Sequence, residues 1–101
     1  MQDAAAYGTT QTIAYDGTVA ATNPFGSQTR QVRLVSNSAC HFHVYEADGT
    51  ATATTSDPFL PANLPEFITV SPGQKISAIK AATNGLVTAT AGTLWVTEVA
   101  T

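Results

Sequence analysis

Turn dipeptides break this chain at Asp16-Gly17, Asp48-Gly49, Pro72-Gly73 and Asn84-Gly85, and the runs between them are short and rich in β-branched and aromatic residues. Such pairs favour the backbone angles of tight turns, so a chain punctuated this way builds strands rather than long helices. In 31–36, Val32 and Leu34 alternate with Arg33 and Val35; in 40–45, Cys40, Phe42 and Val44 alternate with His41, His43 and Tyr45. A period of two puts one set on a core and the other outward, the pattern of half-buried strands.

The remaining segments extend the reading. Residues 9–15 place Ile13 and Tyr15 on one side of an extended chain, and a type I′ turn at Asp16-Gly17 would return 18–22 against them as a first hairpin. Residues 67–70 and 85–91 read as further strands. In 93–99, Leu94 and Val96 share one face while Trp95, Thr97 and Val99 share the other, which predicts a central or doubly covered strand. Residues 74–80 admit two readings, because Ile76 and Ile79 are spaced as on a short helix. Residues 50–57 have no large side chain to bury, and 58–66 hold three prolines, which forbids a central strand and leaves an ordered arm, a loop or an edge. The expectation is an all-β fold, a small antiparallel β-sandwich or jelly-roll-like domain with a Pro-rich arm, formed by residues 1–101 as a single domain.

Composition narrows the function. The chain is 44% hydrophobic and 11% charged, where a soluble domain ordinarily carries about a quarter charged residues. A neutral surface lined with Thr and Ala suits repeated protein contact, since few charges must lose water when copies pack. Four Lys and Arg against seven Asp and Glu leave no basic stripe, so nucleic acid is not an expected partner. The single Cys40 excludes an internal disulfide, no apolar run approaches membrane length, and Met1-Gln2-Asp3 begins without the features of a signal peptide. Synthesis in a cytoplasm with no membrane partner is the expectation.

Candidate chemistry is sparse. His41 and His43 share a strand face and form the one spacing with metal character, but no third and fourth ligand accompany them, so no structural metal is expected. Cys40 is in phase with Phe42 and Val44 and reads as a buried, inert thiol. No nucleophile elbow, phosphate-binding loop or carboxylate pair stands out, which predicts a protein that is not an enzyme and needs no cofactor. Tyr7, Tyr15, Tyr45 and Trp95, with nearby Thr and Asn, have the composition of a sugar-stacking surface, although aromatic residues on strands more often serve as core or interface anchors. The most distinctive segment is the arm, where Pro58, Phe59, Leu60, Pro61, Leu64 and Pro65 form a candidate interface. Its prolines reduce the entropy lost on ordering, and its apolar side chains either fold over their own sandwich or reach a neighbour.

Several segments follow one another in a recognisable order: Gln28-Thr29-Arg30-Gln31-Val32-Arg33-Leu34-Val35, Cys40-His41, Ala53-Thr54-Thr55-Ser56-Asp57, Leu60-Pro61-Ala62-Asn63-Leu64-Pro65-Glu66, Val70-Ser71-Pro72-Gly73-Gln74-Lys75-Ile76 and Gly92-Thr93-Leu94-Trp95-Val96-Thr97-Glu98. Over about residues 12–98 the chain resembles a group of small structural proteins of tailed bacteriophages and prophages, with residues 81–91 longer than the usual link before the last strand. The resemblance implies a non-enzymatic virion protein and brings no catalytic residues. The leading expectation is a head decoration or cement protein bound to the major capsid protein or other virion proteins, present in many copies or as a homo-oligomer. A tail or neck accessory protein and a carbohydrate-binding module are the alternatives.

Overall fold

The structure is a computed structural model that describes residues 6–81 and 90–100. Eight strands form, β1 (Ala6–Tyr15), β2 (Ala20–Ala21), β3 (Gln31–Ser36), β4 (Cys40–Tyr45), β5 (Phe59–Leu60), β6 (Glu66–Thr69), β7 (Lys75–Lys80) and β8 (Gly92–Ala100), with no helix among the described residues. They make two antiparallel sheets of four strands, in the orders β1-β8-β3-β6 and β2-β7-β4-β5. The all-β sandwich read from the alternating runs is the fold. Its core is filled from both sheets: Ile13, Val32, Leu34, Leu94 and Val96 from the first meet Phe42, Leu60, Ile76 and Ala78 from the second. Strand β8 is central to the first sheet, as its apolar character on both faces predicts, pairing with β1 on one side and β3 on the other.

The expected first hairpin does not form. Strand β1 pairs with β8 and strand β2 with β7, so the two flank different sheets. Among the described residues positive φ occurs only at Asn63 and Gly73, so Asp16-Gly17 lacks the geometry of a type I′ turn. It acts as a corner: the Asp16 carboxylate accepts from Gly17 N–H at 2.8 Å and pairs with Lys80 at 3.2 Å, while Lys80 N–H donates to Asp16 O at 3.1 Å. The Pro72-Gly73 pair also changes sheets. Gly73 has φ 82° and Gln74 N–H reaches Ser71 O at 3.2 Å, a type II turn from β6 to β7. Asp48-Gly49 lies inside the long β4–β5 connection, where Gly49 N–H donates to Glu46 O. Only that connection stays within one sheet.

Residues 75–80 are strand, which decides between the two readings of that segment. Ile76 and Ala78 point into the core, Ile79 sits opposite His41 on the outer side, and β4 and β2 supply partners on both edges. Paired neighbours on both sides outweigh a weak local helix preference. The expected strand at 85–91 and the turn at Asn84-Gly85 fall almost wholly outside the described residues.

One end of the core is polar and tight. Tyr15 is buried and its hydroxyl donates to Ser38 O, while Asn37 Oδ1 accepts from Thr93 N–H at 2.8 Å. Gly92 pairs with Tyr15 in this corner, and a Cβ there would overlap Ser38 Oγ and stand 2.7 Å from Asn37 Oδ1 and 2.8 Å from the Tyr15 hydroxyl. Gly92→Ala is therefore expected to destabilise by about 1–3 kcal/mol, lowering Tm by about 5 °C or more in a domain of this size. A thermal melt of the variant checks this, and an unchanged Tm would contradict the packing described.

Candidate interaction surfaces

The outer face of the β2-β7-β4-β5 sheet is partly covered by the chain itself. His41, His43 and Tyr45 project outward opposite Ile79, Ser77 and Lys75, and the 46–58 connection lies across them as a strap. Its midpoint is sealed: Ala53 is 4% exposed, and the fully buried Ser77 hydroxyl donates to Thr52 O. Its end is held by both imidazoles, with His41 Nδ1 2.8 Å from Asp57 O and His43 Nδ1 3.3 Å from Asp57 Oδ1. The other Asp57 oxygen accepts from Thr54 N–H at 2.8 Å. The two histidines that share a face thus converge on one residue of the strap. Among the described residues no three His, Cys, Asp or Glu side chains stand together as a metal-binding group.

The arm is ordered and divided. Phe42 N–H donates to Pro58 O at 3.1 Å, and β5 adds Phe59 and Leu60 to the sheet edge opposite His41 and Cys40. Leu60 faces inward with Cys40 and is fully buried, so it is a core residue and not a free interface anchor. This corrects its place in the candidate interface, and the cause is strand alternation: of two adjacent residues, one must point inward. Phe59 points outward, 42% exposed, with its ring edge-on to His41 at 5.4 Å. Beyond β5, Asn63 takes φ 64° and its N–H reaches Ser36 O at 2.7 Å, a turn after which Leu64 is 58% exposed. Pro58 and Pro65 are exposed and Pro61 is half-buried. Leu60 and main-chain hydrogen bonds anchor the arm in cis, and Phe59 and Leu64 are what it offers outward.

The outer face of the β1-β8-β3-β6 sheet buries Thr97 and Val99 but leaves three aromatic rings exposed. Cross-strand register places Thr12, Trp95 and Val35 in one row and Thr10, Thr97, Arg33 and Phe67 in the next, with Tyr7 opposite Val99 beyond an irregularity in β1. Trp95, Phe67 and Tyr7 are 37%, 47% and 58% exposed. The Arg33 guanidinium lies 5.8 Å from the Tyr7 ring centroid, a cation–π contact that fixes both side chains across β8. Of the aromatic residues that the composition grouped as sugar-stacking, Tyr7 and Trp95 share this face, Tyr15 is in the core and Tyr45 is on the opposite sheet. Phe67 was not foreseen. The alternation of Phe67 with Glu66 and Ile68 carries the signal, but four residues define a strand face poorly.

Two acidic or nucleophilic groups have structural roles. Glu98, beside a shallow cleft lined by Gly8, Thr9, Gly26 and Thr29, accepts hydrogen bonds from the Thr29 hydroxyl and from Gly26 N–H. Burial pushes the Cys40 thiol up from its ordinary range, which keeps it protonated and unreactive. In comparison with known proteins, the chain matches no protein-family profile, no curated protein and no solved structure.

The strap is expected to depend on Asp57 ionisation. The Thr54 N–H bond, with a smaller contribution from His43, holds this carboxylate below its ordinary value of 3.8. A lowered carboxylate pKa stabilises the fold above the unfolded value, and that contribution is lost as pH falls through the folded value. Protection of Thr54 N–H from hydrogen exchange, taken relative to its intrinsic rate at each pH, should therefore persist through the ordinary carboxylate range near about pH 4 and be lost only below it. Asp57→Ala should lack this protection at every pH, and identical protection in both proteins would refute the assignment.

Proposed function

We propose that this chain is a non-enzymatic structural protein of a tailed-phage virion, a head decoration or cement protein seated on the capsid by its Pro-rich arm. The observation that carries the reading is the arm: an ordered segment, pinned through Leu60, that holds Phe59 and Leu64 out of the sandwich. A preformed arm loses little conformational entropy on docking. Covering the exposed parts of the two side chains against a neighbour gives part of what full burial is worth, about 1.5–3 kcal/mol for each. The 11% charged content supports the same reading, since shell contacts then desolvate few ions. The sequence resemblance to small phage structural proteins supplies the kind of neighbour, the major capsid protein or another virion protein, and many copies of a weak contact on one shell add through avidity.

Head-binding measurements test it. With Phe59 and Leu64 both changed to Ser, affinity for heads lacking the protein should fall by more than about tenfold, with Tm changed little because both side chains are already exposed. Leu60→Ala is the contrasting variant: it should cost about 2–5 kcal/mol of stability while leaving binding per folded molecule intact. Undiminished head binding by the folded double variant, or absence of the protein from purified virions, would overturn the proposal.

A further inference from the structure

We infer that the open face of the β1-β8-β3-β6 sheet is a binding platform for an acidic polysaccharide, with Trp95, Phe67 and Tyr7 as stacking rings and Arg33 as the carboxylate anchor. The face lies on the opposite side of the sandwich from Phe59, which sits on the outer side of the other sheet beside His41. A molecule seated through Phe59 therefore leaves these rings pointing away from what it sits on. Phe59 and the three rings lie on separate faces, so each face stands or falls by its own variants.

Three observations select the ligand. The first is composition: the rings are interleaved with the exposed hydroxyls of Thr10 and Thr12 and with Thr97, which Thr10 meets at 3.0 Å. Pyranose rings present a C–H face to an aromatic ring and a rim of hydroxyls to polar side chains, so this mixture fits them. A protein contact instead favours a continuous apolar centre with polar groups at its rim.

The second is charge. The chain carries a net charge of −3, yet among the described residues Arg33 is the one ionisable group that strand phase places on this face besides the Tyr7 phenol. Glu66 and Glu98, the acidic residues of the sheet, sit opposite Leu34 and Val32, in phase with the core side. The ion pairs among the described residues, His43–Asp57 and Lys80–Asp16, do not involve Arg33. A guanidinium pairs best with a carboxylate through two parallel hydrogen bonds, and a uronic or sialic acid supplies one on a sugar ring. Two copies docked face to face here would bring each Arg33 to a surface without a carboxylate among the described residues, leaving a buried charge unpaired.

The third is pre-organisation. The Tyr7 ring holds the guanidinium in place, and the platform is built on paired strands, so little ordering is required when a ligand binds.

The chain has a single tryptophan, and Trp95 is on the platform, so its fluorescence reports occupancy directly. The full chain is titrated with oligogalacturonate, with a glucuronate, a mannuronate and a sialyl oligosaccharide, and with the methyl ester of each, which keeps the rings and removes the charge. At least one acid should give a saturable change in Trp95 emission that its ester lacks. Loss of one anchor should raise Kd by about tenfold or more, so Arg33→Gln should do this by fluorescence and Trp95→Ala by calorimetry, while Phe59→Ser leaves Kd unchanged. Melts of each variant confirm folding, and Arg33→Gln, at a partly exposed site, serves if Trp95→Ala does not fold. Binding to none of the acids, or equal binding to acid and ester, overturns the inference. It is also overturned if Trp95→Ala abolishes head binding or dissolves a dimer seen by sedimentation, since the face would then be covered by protein.

Discussion

The pairing of β1 with β8 is the contact on which the rest of this molecule depends. It joins the first described strand to the last, from Ala6 opposite Ala100 to Tyr15 opposite Gly92, and it makes β8 an interior strand with β3 on its other edge. From that position Leu94 and Val96 fill the core while Trp95 and Thr97 turn outward between Thr12 and Val35 and between Thr10 and Arg33. Core and open face are thus two sides of one strand, and a register slip of one residue would exchange them. The tight corner at Gly92 opposes such a slip, because only a residue without a Cβ fits against Ser38 and Tyr15.

The two sheets solve the problem of an outer face differently. In the β2-β7-β4-β5 sheet the chain spends the 46–58 connection as its own cover, burying Ser77 and Ala53 and engaging both histidines with Asp57. In the other sheet no comparable segment among the described residues covers Trp95, Phe67 and Tyr7, which remain at least a third exposed. Three exposed aromatic residues on one sheet face, spaced by Thr97 and Arg33, mark that face as a contact surface. The same contrast runs through the arm, where Leu60 is consumed by the core and its neighbour Phe59 is not.

Much of this was legible in the sequence, and what was not follows a physical pattern. Alternation in 31–36 and 40–45 is a local signal of period two, and the strands are where it places them. The two-faced apolarity of 93–99 announces an interior strand for the same reason. The misreading at Asp16-Gly17 arose because an Asp-Gly pair specifies a change of direction but not which strand receives the chain. At Asp16 the side chain and main chain both engage β7. Nothing local separates Phe59 from Leu60 as outward and inward, since that assignment is made by register against Cys40 and His41. Likewise the role of the histidine pair was invisible, because Asp57 reaches it only once the strap has folded back.

Strand β8 has one more consequence, for the order of events during synthesis. Residues 92–100 supply the centre of the first sheet, so until they leave the ribosome β1 has no partner and β3 has only the short edge strand β6. Closing such a distant pairing carries the full entropy cost of the intervening chain before any contact repays it. The first sheet therefore stays incomplete until residues 92–100 are available, whereas all four strands of the second sheet have been made by residue 80. A chain in this state presents the unpaired edges of β1 and β3 to misassociation for as long as β8 is missing.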